Sequence, residues 1–285
     1  MATHTVLVGE VSLAVTEMGE GEPVILVHGF PELAYSWRHQ LPALAGFGFR
    51  AVAYDQRGYG GSTKPEKVTD YRLMELVGDL FGLADSLGIE RFHLVAHDWG
   101  SIVAWTGAVV QPDRLITLTS LNVPYRGWCC GFPTLQVIEE RLRDRFAYVL
   151  SFQETGVAEE RFAAAPERWL RRSYQGVAAD PDFMSDDESR VYLDAFVAGG
   201  MFGPLSYYRN IDRNAADVAH MADATVDVRT LMITADRDPV LPAALAEGME
   251  RWVPDLTVRA VTGSGHWTQQ EQPGQVNDHL LAFLR

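Results

Sequence analysis

One acidic residue, Asp98, occupies a position in the sequence that suggests a catalytic nucleophile. An apolar run of strand length precedes it at residues 92–96, and a segment of helical character follows it at residues 100–105. A strand, a tight turn and a buried helix with one reactive side chain at the turn constitute a nucleophile elbow. Because the backbone of such a turn is strained, small residues must flank it, and Ala96 and Gly100 meet this need. We therefore predict that Asp98 attacks the substrate.

A carboxylate nucleophile restricts the reactions that this chain can catalyse. A serine would attack a carbonyl carbon and form an acyl-enzyme, whereas a carboxylate that attacked an ester would form an anhydride that readily reverses. A carboxylate can instead displace a leaving group from a saturated carbon, which leaves an alkyl ester on the enzyme. Hydrolysis of that ester needs a base and an oxyanion hole. The elbow therefore favours halides and epoxides as substrates and disfavours esters and peptides.

A histidine and a second acid must accompany this nucleophile, and in folds with this elbow the acid comes before the histidine. Asp238 follows a strand-like run at residues 229–234, and His266 follows another at residues 256–261. Active-site loops gather at the carboxyl ends of strands in open α/β sheets. We predict that His266 activates water and that Asp238 orients the imidazole. Asp236, two residues away, is an alternative acid; a capping aspartate and a surface histidine are the alternative interpretations.

The oxyanion hole is predicted from a His-Gly-Phe-Pro sequence that begins at His28, directly after an apolar run. The backbone N–H groups of Phe30 and Trp99 are the expected donors. Pro31 would rigidify the loop. For His28 and His97 we expect structural hydrogen-bonding roles, although His28 is also a candidate for contact with substrate.

Composition limits the class of protein. The chain has 285 residues, 47% of them hydrophobic and 22% charged, which fits one large α/β domain with room for an insertion. Its formal charge of −14 argues against nucleic acid or an anionic membrane surface as a partner. The adjacent Cys129 and Cys130 indicate no disulfide framework. With no signal-peptide pattern and no apolar run of membrane-spanning length, we expect a cytoplasmic protein.

Strand-like and helical segments alternate along much of the chain, as expected for a parallel sheet in an α/β fold. The opening reads as a hairpin; a helix is predicted over residues 71–87 with Gly88 as its cap, and further strands at residues 23–27, 49–54 and 115–121. The pattern then becomes helical, and a capping box at residues 185–188 begins one helix there. We predict an α/β-hydrolase core with a mostly parallel sheet, formed by residues 1–125 and 225–285, and an inserted helical lid over residues 126–224.

Several motifs together resemble the soluble epoxide hydrolases of the α/β-hydrolase superfamily. The resemblance rests on the segments at residues 28–31 (His-Gly-Phe-Pro), 55–60 (Asp-Gln-Arg-Gly-Tyr-Gly), 97–100 (His-Asp-Trp-Gly) and 265–269 (Gly-His-Trp-Thr-Gln). Residues 148–154 and 205–210 are similar to the two lid segments that carry tyrosines in that family. The resemblance extends from about residue 24 to residue 283.

This resemblance implies that Tyr148 and Tyr208 donate hydrogen bonds to the epoxide oxygen, since an alkoxide leaving group must be stabilised or protonated. Tyr207 stands where the family is expected to carry tryptophan, and we expect it to shape the pocket. The predicted substrate-binding residues are His28, Pro31, Phe152, Tyr207 and Trp267. Water is the second substrate, no metal or other cofactor is expected, and a homodimer is left open. An apolar or aromatic epoxide is expected from the lid aromatics Trp128, Phe132, Phe152, Trp169, Phe183, Phe196 and Phe202.

Two other functions are compatible with parts of the sequence. A haloalkane dehalogenase would use Trp99 as one halide donor, but Phe30 stands in place of an asparagine, so a lid residue such as Trp169 would have to be the second donor. The strand at residues 115–121 is followed by Asn122 and not by a carboxylate, which leaves Asp238 for the triad. A fluoroacetate dehalogenase is disfavoured because arginine is expected at the position of Trp99. A catalytically silent binding protein would have lost part of the triad or the oxyanion loop.

Overall fold

The computed structural model describes residues 2–126 and 133–285. Its centre is an eight-stranded sheet in the order β1-β2-β4-β3-β5-β6-β7-β8. The strands are β1 (Ala2–Val8), β2 (Val11–Met18), β3 (Glu22–Val27), β4 (Phe49–Tyr54), β5 (Phe92–His97), β6 (Leu115–Leu121), β7 (Thr230–Ala235) and β8 (Leu256–Val261). β2 pairs antiparallel with β1 and β4, and all other pairs are parallel. The predicted mostly parallel α/β sheet is therefore confirmed.

Helices cover both faces of this sheet, which explains why its central strands β5 and β6 are almost wholly buried. One face packs against α2 (Leu73–Ser86) and α3 (Trp99–Val110), and the other packs against α1 (Gln40–Gly46) and α12 (Pro273–Phe283). A short helix, α11 (Thr268–Glu271), precedes α12. All six residues of β5 are buried, so the strand that leads to Asp98 is held from both sides.

Helix α2 begins two residues later than the sequence predicted. Residues Val68–Tyr71 form a turn of 3₁₀ helix, and Arg72 is extended, with ψ of 150°, which separates that turn from α2. The side-chain carbonyl of Asn214 accepts the backbone N–H of Leu73 at 2.9 Å and fixes the start of the helix. Gly88 ends the helical segment with φ of 68°, as predicted.

Seven helices lie between β6 and β7 in the described part of the chain. They are α4 (Leu135–Arg141), α5 (Arg143–Ser151), α6 (Val157–Ala164), α7 (Pro166–Gln175), α8 (Asp186–Gly199), α9 (Phe202–Arg209) and α10 (Ile211–Asp217). The predicted capping box is present at the start of α8, where the Ser185 and Glu188 side chains each bond the other residue's backbone N–H. Trp128, Cys129, Cys130 and Phe132, on which some predictions rest, lie outside the described residues.

The inserted helices contact the loops at the carboxyl ends of the strands. The Tyr174 hydroxyl on α7 donates to the carbonyl oxygen of Pro31 at 2.6 Å, and the backbone N–H of His266 donates to Val177 at 2.9 Å. The insertion is therefore held directly over the loops that carry the predicted catalytic residues. Among residues 2–126 and 133–285, every helix is too short or too polar to cross a lipid bilayer.

Candidate active site

Asp98 lies at a strained turn between β5 and α3. Its backbone has φ of 50° and ψ of −123°, a conformation that non-glycine residues rarely adopt and that commonly marks a functional site. The chain can pass this close to its neighbours only because two of them are glycines. A Cβ on Gly100 would lie 2.2 Å from the Val27 carbonyl oxygen, and one on Gly29 would lie 2.3 Å from the Asp98 Cβ. The turn therefore presents the carboxylate at the end of the central strand.

The two oxygens of the Asp98 carboxylate have different surroundings. Oδ1 accepts the backbone N–H of Phe30 at 2.7 Å, while Oδ2 lies 3.6 Å from Nε2 of His266. Trp99 begins α3, so its backbone N–H lies at the N-terminal end of that helix, directly after Asp98. Oδ1 is therefore held by a backbone amide, while Oδ2 faces the imidazole.

His266 is paired with Asp238 and not with Asp236. Its Nδ1 lies 2.8 Å from Oδ2 of Asp238, whereas Oδ1 of Asp236 accepts the backbone N–H of Ser264 at 3.2 Å. Of the two candidate acids, the structure therefore places Asp238 on the imidazole.

Asp238 is almost completely surrounded by donors. Its Oδ1 accepts the backbone N–H groups of Val240 and Leu241 at 2.8 and 2.9 Å, and its Oδ2 also accepts the side-chain amide of Asn122 at 2.7 Å. Burial opposes its charge, but the attraction of His266 and these hydrogen bonds outweigh burial and hold the pKa of Asp238 below its ordinary value. Asp238 is therefore a fixed anion behind the histidine.

The same charges act on the imidazole. Burial alone would lower the pKa of His266, but the charge and hydrogen bond of Asp238, together with Asp98, raise that pKa well above 6.5. The resting site therefore holds an imidazolium between two carboxylates. Removing the charge of either carboxylate would make this proton easier to lose.

Two phenols on the inserted helices line the cavity beside Asp98. Tyr148 on α5 and Tyr208 on α9 line the same cavity as Asp98, and their ring centroids are 5.8 Å apart. Burial, followed by the charge of Asp98, raises the pKa of Tyr148 above its ordinary value, and burial and the neighbouring Tyr148 raise that of Tyr208. Both phenols therefore stay protonated and can donate a hydrogen bond at neutral pH.

A cavity of about 220 Å³ adjoins these groups. Three of the predicted substrate-binding residues, Pro31, Phe152 and Trp267, contribute to its walls, and so do Phe30 and His266. Its lining is mostly apolar around a few polar groups, which is typical of a small-molecule site.

Comparison with known proteins agrees with this geometry. Residues 22–273 match the family described as the alpha/beta hydrolase fold. Epoxide hydrolase A of Mycobacterium tuberculosis is 39% identical over an alignment that covers 96% of this chain and 94% of that protein. The chain belongs to the epoxide hydrolase family.

Other members of the family agree in length and structure to different degrees. The crystal structure of epoxide hydrolase A from Mycobacterium thermoresistibile has a TM-score of 0.90 and 36% identity, and covers 100% of this chain and 98% of that one. Bifunctional epoxide hydrolase 2 of Sus scrofa is 33% identical over 96% of this chain but only 53% of its own length, so this chain spans about half of that relative.

Two residues predicted to bind substrate are not among the described residues that line the cavity. His28 is fully buried; its Nδ1 lies 2.8 Å from the Gly29 carbonyl oxygen, and its Nε2 accepts the Gln56 N–H at 3.0 Å. Tyr207 is also fully buried, and its hydroxyl donates to the Arg57 carbonyl oxygen at 2.9 Å. The structure therefore does not support substrate contact by His28 or Tyr207, because the polar atoms of both join backbone segments together.

Sequence reasoning missed a buried carboxylate behind the site. Glu32 accepts the Gly29 N–H at 2.9 Å and the side-chain amides of Gln269 and Gln270 at 2.8 and 2.9 Å, and it lies 2.7 Å from Nδ1 of His97. Burial opposes its charge, but His97 outweighs burial and lowers the pKa of Glu32 to about 2. The sequence contains a partial indication of this role, because Glu32 directly follows the His-Gly-Phe-Pro segment of the predicted oxyanion hole.

His97 connects this carboxylate to the loop that carries His266. Its Nε2 lies 2.8 Å from the backbone carbonyl oxygen of His266, and its Nδ1 faces Glu32. Both ring nitrogens thus lie within hydrogen-bond distance of an oxygen atom. As predicted for His97, its hydrogen bonds are structural: they join the oxyanion loop, the elbow and the loop of His266.

Proposed function

We propose that this epoxide hydrolase forms an alkyl ester on Asp98 and then hydrolyses that ester to release a vicinal diol. The observation that carries the proposal is the placement of a carboxylate and two phenol donors on one cavity, with a histidine–aspartate pair beside them. A carboxylate can open a strained ring at saturated carbon, and the phenols can stabilise the oxygen that leaves.

In the first step, Oδ2 of Asp98 bonds to a ring carbon while the bond from that carbon to the epoxide oxygen breaks. The oxygen takes a proton from Tyr148 or Tyr208, which leaves a hydroxyalkyl ester and a phenolate. Esterification removes the Asp98 charge that helps to raise the pKa of His266. The imidazolium can then release its proton, and this proton restores the phenol.

In the second step, the neutral His266 takes a proton from water, and the resulting hydroxide attacks the ester carbonyl carbon, Cγ of Asp98. The negative charge that develops on Oδ1 is stabilised by the N–H of Phe30, which already donates to that oxygen at 2.7 Å, and by the N–H of Trp99. Collapse of this intermediate breaks the bond to the alkyl oxygen, which leaves as the diol with the proton from His266. The Asp98 carboxylic acid that remains passes its proton to His266, which restores the carboxylate and the imidazolium, and one water has been consumed.

The walls of the cavity support an apolar or aromatic epoxide. Of the lid aromatics in the described residues, Phe152 lines the cavity, and Trp169 packs behind it with ring centroids 6.1 Å from Phe30 and 6.4 Å from Phe152. Phe183 lines a separate surface groove, while Phe196 and Phe202 pack against Tyr59 and Tyr71. The preference therefore rests on fewer aromatic residues than the sequence suggested.

Haloalkane dehalogenation is less well supported. Trp169, the second halide donor that this reaction would need, is not among the described residues that line the cavity. The phenols of Tyr148 and Tyr208 are instead suited to a basic oxygen leaving group, and the relatives compared above carry epoxide hydrolase names. A cytoplasmic location and a homodimer stay predictions from the sequence.

The test is turnover of styrene oxide by the purified protein, with the diol measured by chromatography and halide release from 1-chlorobutane measured in parallel. We expect diol formation that Asp98→Asn eliminates, and no halide release above that of the variant. Halide release without diol would support the dehalogenase; neither product would support the binding protein.

A further inference from the structure

The space around the catalytic groups has two unequal parts. Asp98, Tyr148 and Tyr208 line both of them, so the reacting ring must lie where the two parts meet. The large lobe is the cavity of about 220 Å³ described above, whereas the small lobe has a volume of only about 20 Å³. The walls that belong to the small lobe alone are Trp99, Ile102, Val123, Phe146 and Leu241.

The small lobe is sized for one small group. A water molecule needs roughly 10–15 Å³ when volume is measured in this way. The small lobe can therefore accept a hydrogen or a methyl group on a ring carbon, but a phenyl ring would overlap its walls.

The walls of the small lobe cannot easily move aside. Trp99 and Ile102 belong to α3, which packs against the sheet, and Val123 is the second residue after β6. The side chains of Trp99, Ile102, Val123 and Phe146 are at most 4% exposed, so a shift of any one disturbs the core. Forcing a larger group into such a space strains the packing and weakens binding of the transition state.

We propose that this enzyme is specific for epoxides in which one ring carbon carries no substituent larger than methyl. That carbon faces the small lobe, and the bulky substituent of the other carbon lies in the large lobe against Phe30 and Phe152. His266 lines the large lobe, so the hydrolytic water reaches the ester from that side. The inference rests on the proposed epoxide hydrolysis and adds a substrate class to it: terminal and methyl-substituted epoxides, with trans-1,2-disubstituted bulky epoxides excluded.

The test compares kcat/KM for three epoxides that share one phenyl group. Styrene oxide, trans-1-phenylpropylene oxide and trans-stilbene oxide place hydrogen, methyl and phenyl on the second ring carbon. We expect the first two to agree within about tenfold and the third to be lower by roughly 100-fold or more. Hydrolysis of trans-stilbene oxide within tenfold of styrene oxide overturns the inference and leaves the proposed function standing. Hydrolysis of none of them overturns both.

Phe146→Leu tests the wall itself, because it widens the small lobe. We expect the ratio of kcat/KM for trans-stilbene oxide to that for styrene oxide to rise at least about tenfold. Phe196→Leu is the matched control, since Phe196 is a buried phenylalanine of the insertion that lines neither lobe, and its ratio should not change. Both values in a ratio are measured on the same preparation of one variant. A smaller fraction of folded protein therefore lowers both equally and leaves the ratio unchanged.

Ile102→Val widens the small lobe from another wall, at a smaller cost in stability. We expect a rise in the same ratio, so the inference does not depend on whether Phe146→Leu folds. An unchanged ratio in every widened variant that folds, by circular dichroism, overturns the inference.

Discussion

The carboxylate of Asp98 and the imidazole of His266 face each other as an ion pair, with Oδ2 3.6 Å from Nε2. This pair exists only while Asp98 is free. Once Asp98 is esterified, the charge that helps to raise the pKa of His266 is lost, and the imidazolium can become the base that the second step requires. In the mechanism that we propose, Asp98 thus controls when its own ester is attacked.

Asp98→Asn should abolish turnover and keep the fold. The amide has nearly the same size and can still accept the N–H of Phe30, but it lacks the charge and the nucleophilic oxygen. We expect kcat to fall by more than about 1,000-fold, with an unchanged circular dichroism spectrum. Substantial activity in a fresh preparation, with deamidation excluded by mass spectrometry, would refute the assignment of the nucleophile.

Single Tyr148→Phe and Tyr208→Phe changes should each retain some activity, because the other phenol can still donate. The double variant should lose roughly 100- to 10,000-fold in kcat for epoxides. Tyr207→Phe is the matched control, because the Tyr207 hydroxyl donates to the Arg57 carbonyl oxygen and does not line the cavity. Its loss should lower the melting temperature and leave kcat nearly unchanged. Normal epoxide turnover by the double variant would show that the phenols do not assist ring opening.

The stability of the protein should fall as pH rises above neutrality, and His266 should be one cause. Its pKa in the folded state is raised above 6.5, so the folded protein holds a proton that the unfolded chain releases. The stabilisation is complete below pH 6.5 and is lost as pH rises through the raised pKa, by at most about 1.4 kcal/mol per pH unit. Urea unfolding from pH 6 to 10 should show this decline in the wild type and a smaller one in His266→Gln. Equal slopes would contradict the raised pKa.

Glu32→Gln should destabilise the fold because Glu32 is fully buried and its two carboxylate oxygens accept the Gly29 N–H and the side-chain amides of Gln269 and Gln270. The amide has one acceptor oxygen in place of two, and a buried donor left without its partner costs about 1–3 kcal/mol. Glu167→Gln, which breaks an exposed pair with Arg171, is the control and should have little effect on the free energy of unfolding. If both changes have equally small effects, the Glu32–His97 pair does not hold the oxyanion loop and the elbow together.

Much of this fold was predictable because local apolar runs coincide with buried strands. β4, β6 and β8 have the bounds that the sequence predicted, and Asp98 lies at the predicted turn. What the sequence could not provide was the direction of individual side chains. Tyr207 and Tyr208 are adjacent, yet only the second lines the cavity. That choice depends on how α9 packs against the core.

The triad acid and the small lobe show the same limit. Asp236 and Asp238 are two residues apart, and the loop after β7 decides that Asp238 faces His266. Asn122, which was noted only because it is not a carboxylate, donates to that acid from the end of β6. The walls of the small lobe come from α3, the segment after β6, α5 and the loop after β7. No local pattern brings such distant segments together.

The measurement that tests the covalent mechanism most directly is the fate of the enzyme after one reaction with an epoxide. Formation of the ester needs Asp98 and the phenols, but its hydrolysis needs His266. His266→Gln should therefore react once with styrene oxide and stall. Intact-protein mass spectrometry should show a lasting gain equal to the substrate mass, and peptide mapping should place it on Asp98.

The wild type provides the second half of this measurement. In one turnover in ¹⁸O-water, the label should enter the Asp98 carboxylate, because water attacks the carbonyl carbon of the ester and not the epoxide. If the label appears only in the diol and His266→Gln forms no adduct, water attacks the epoxide directly and Asp98 is a general base. That result would contradict the covalent mechanism even though the product is the same diol.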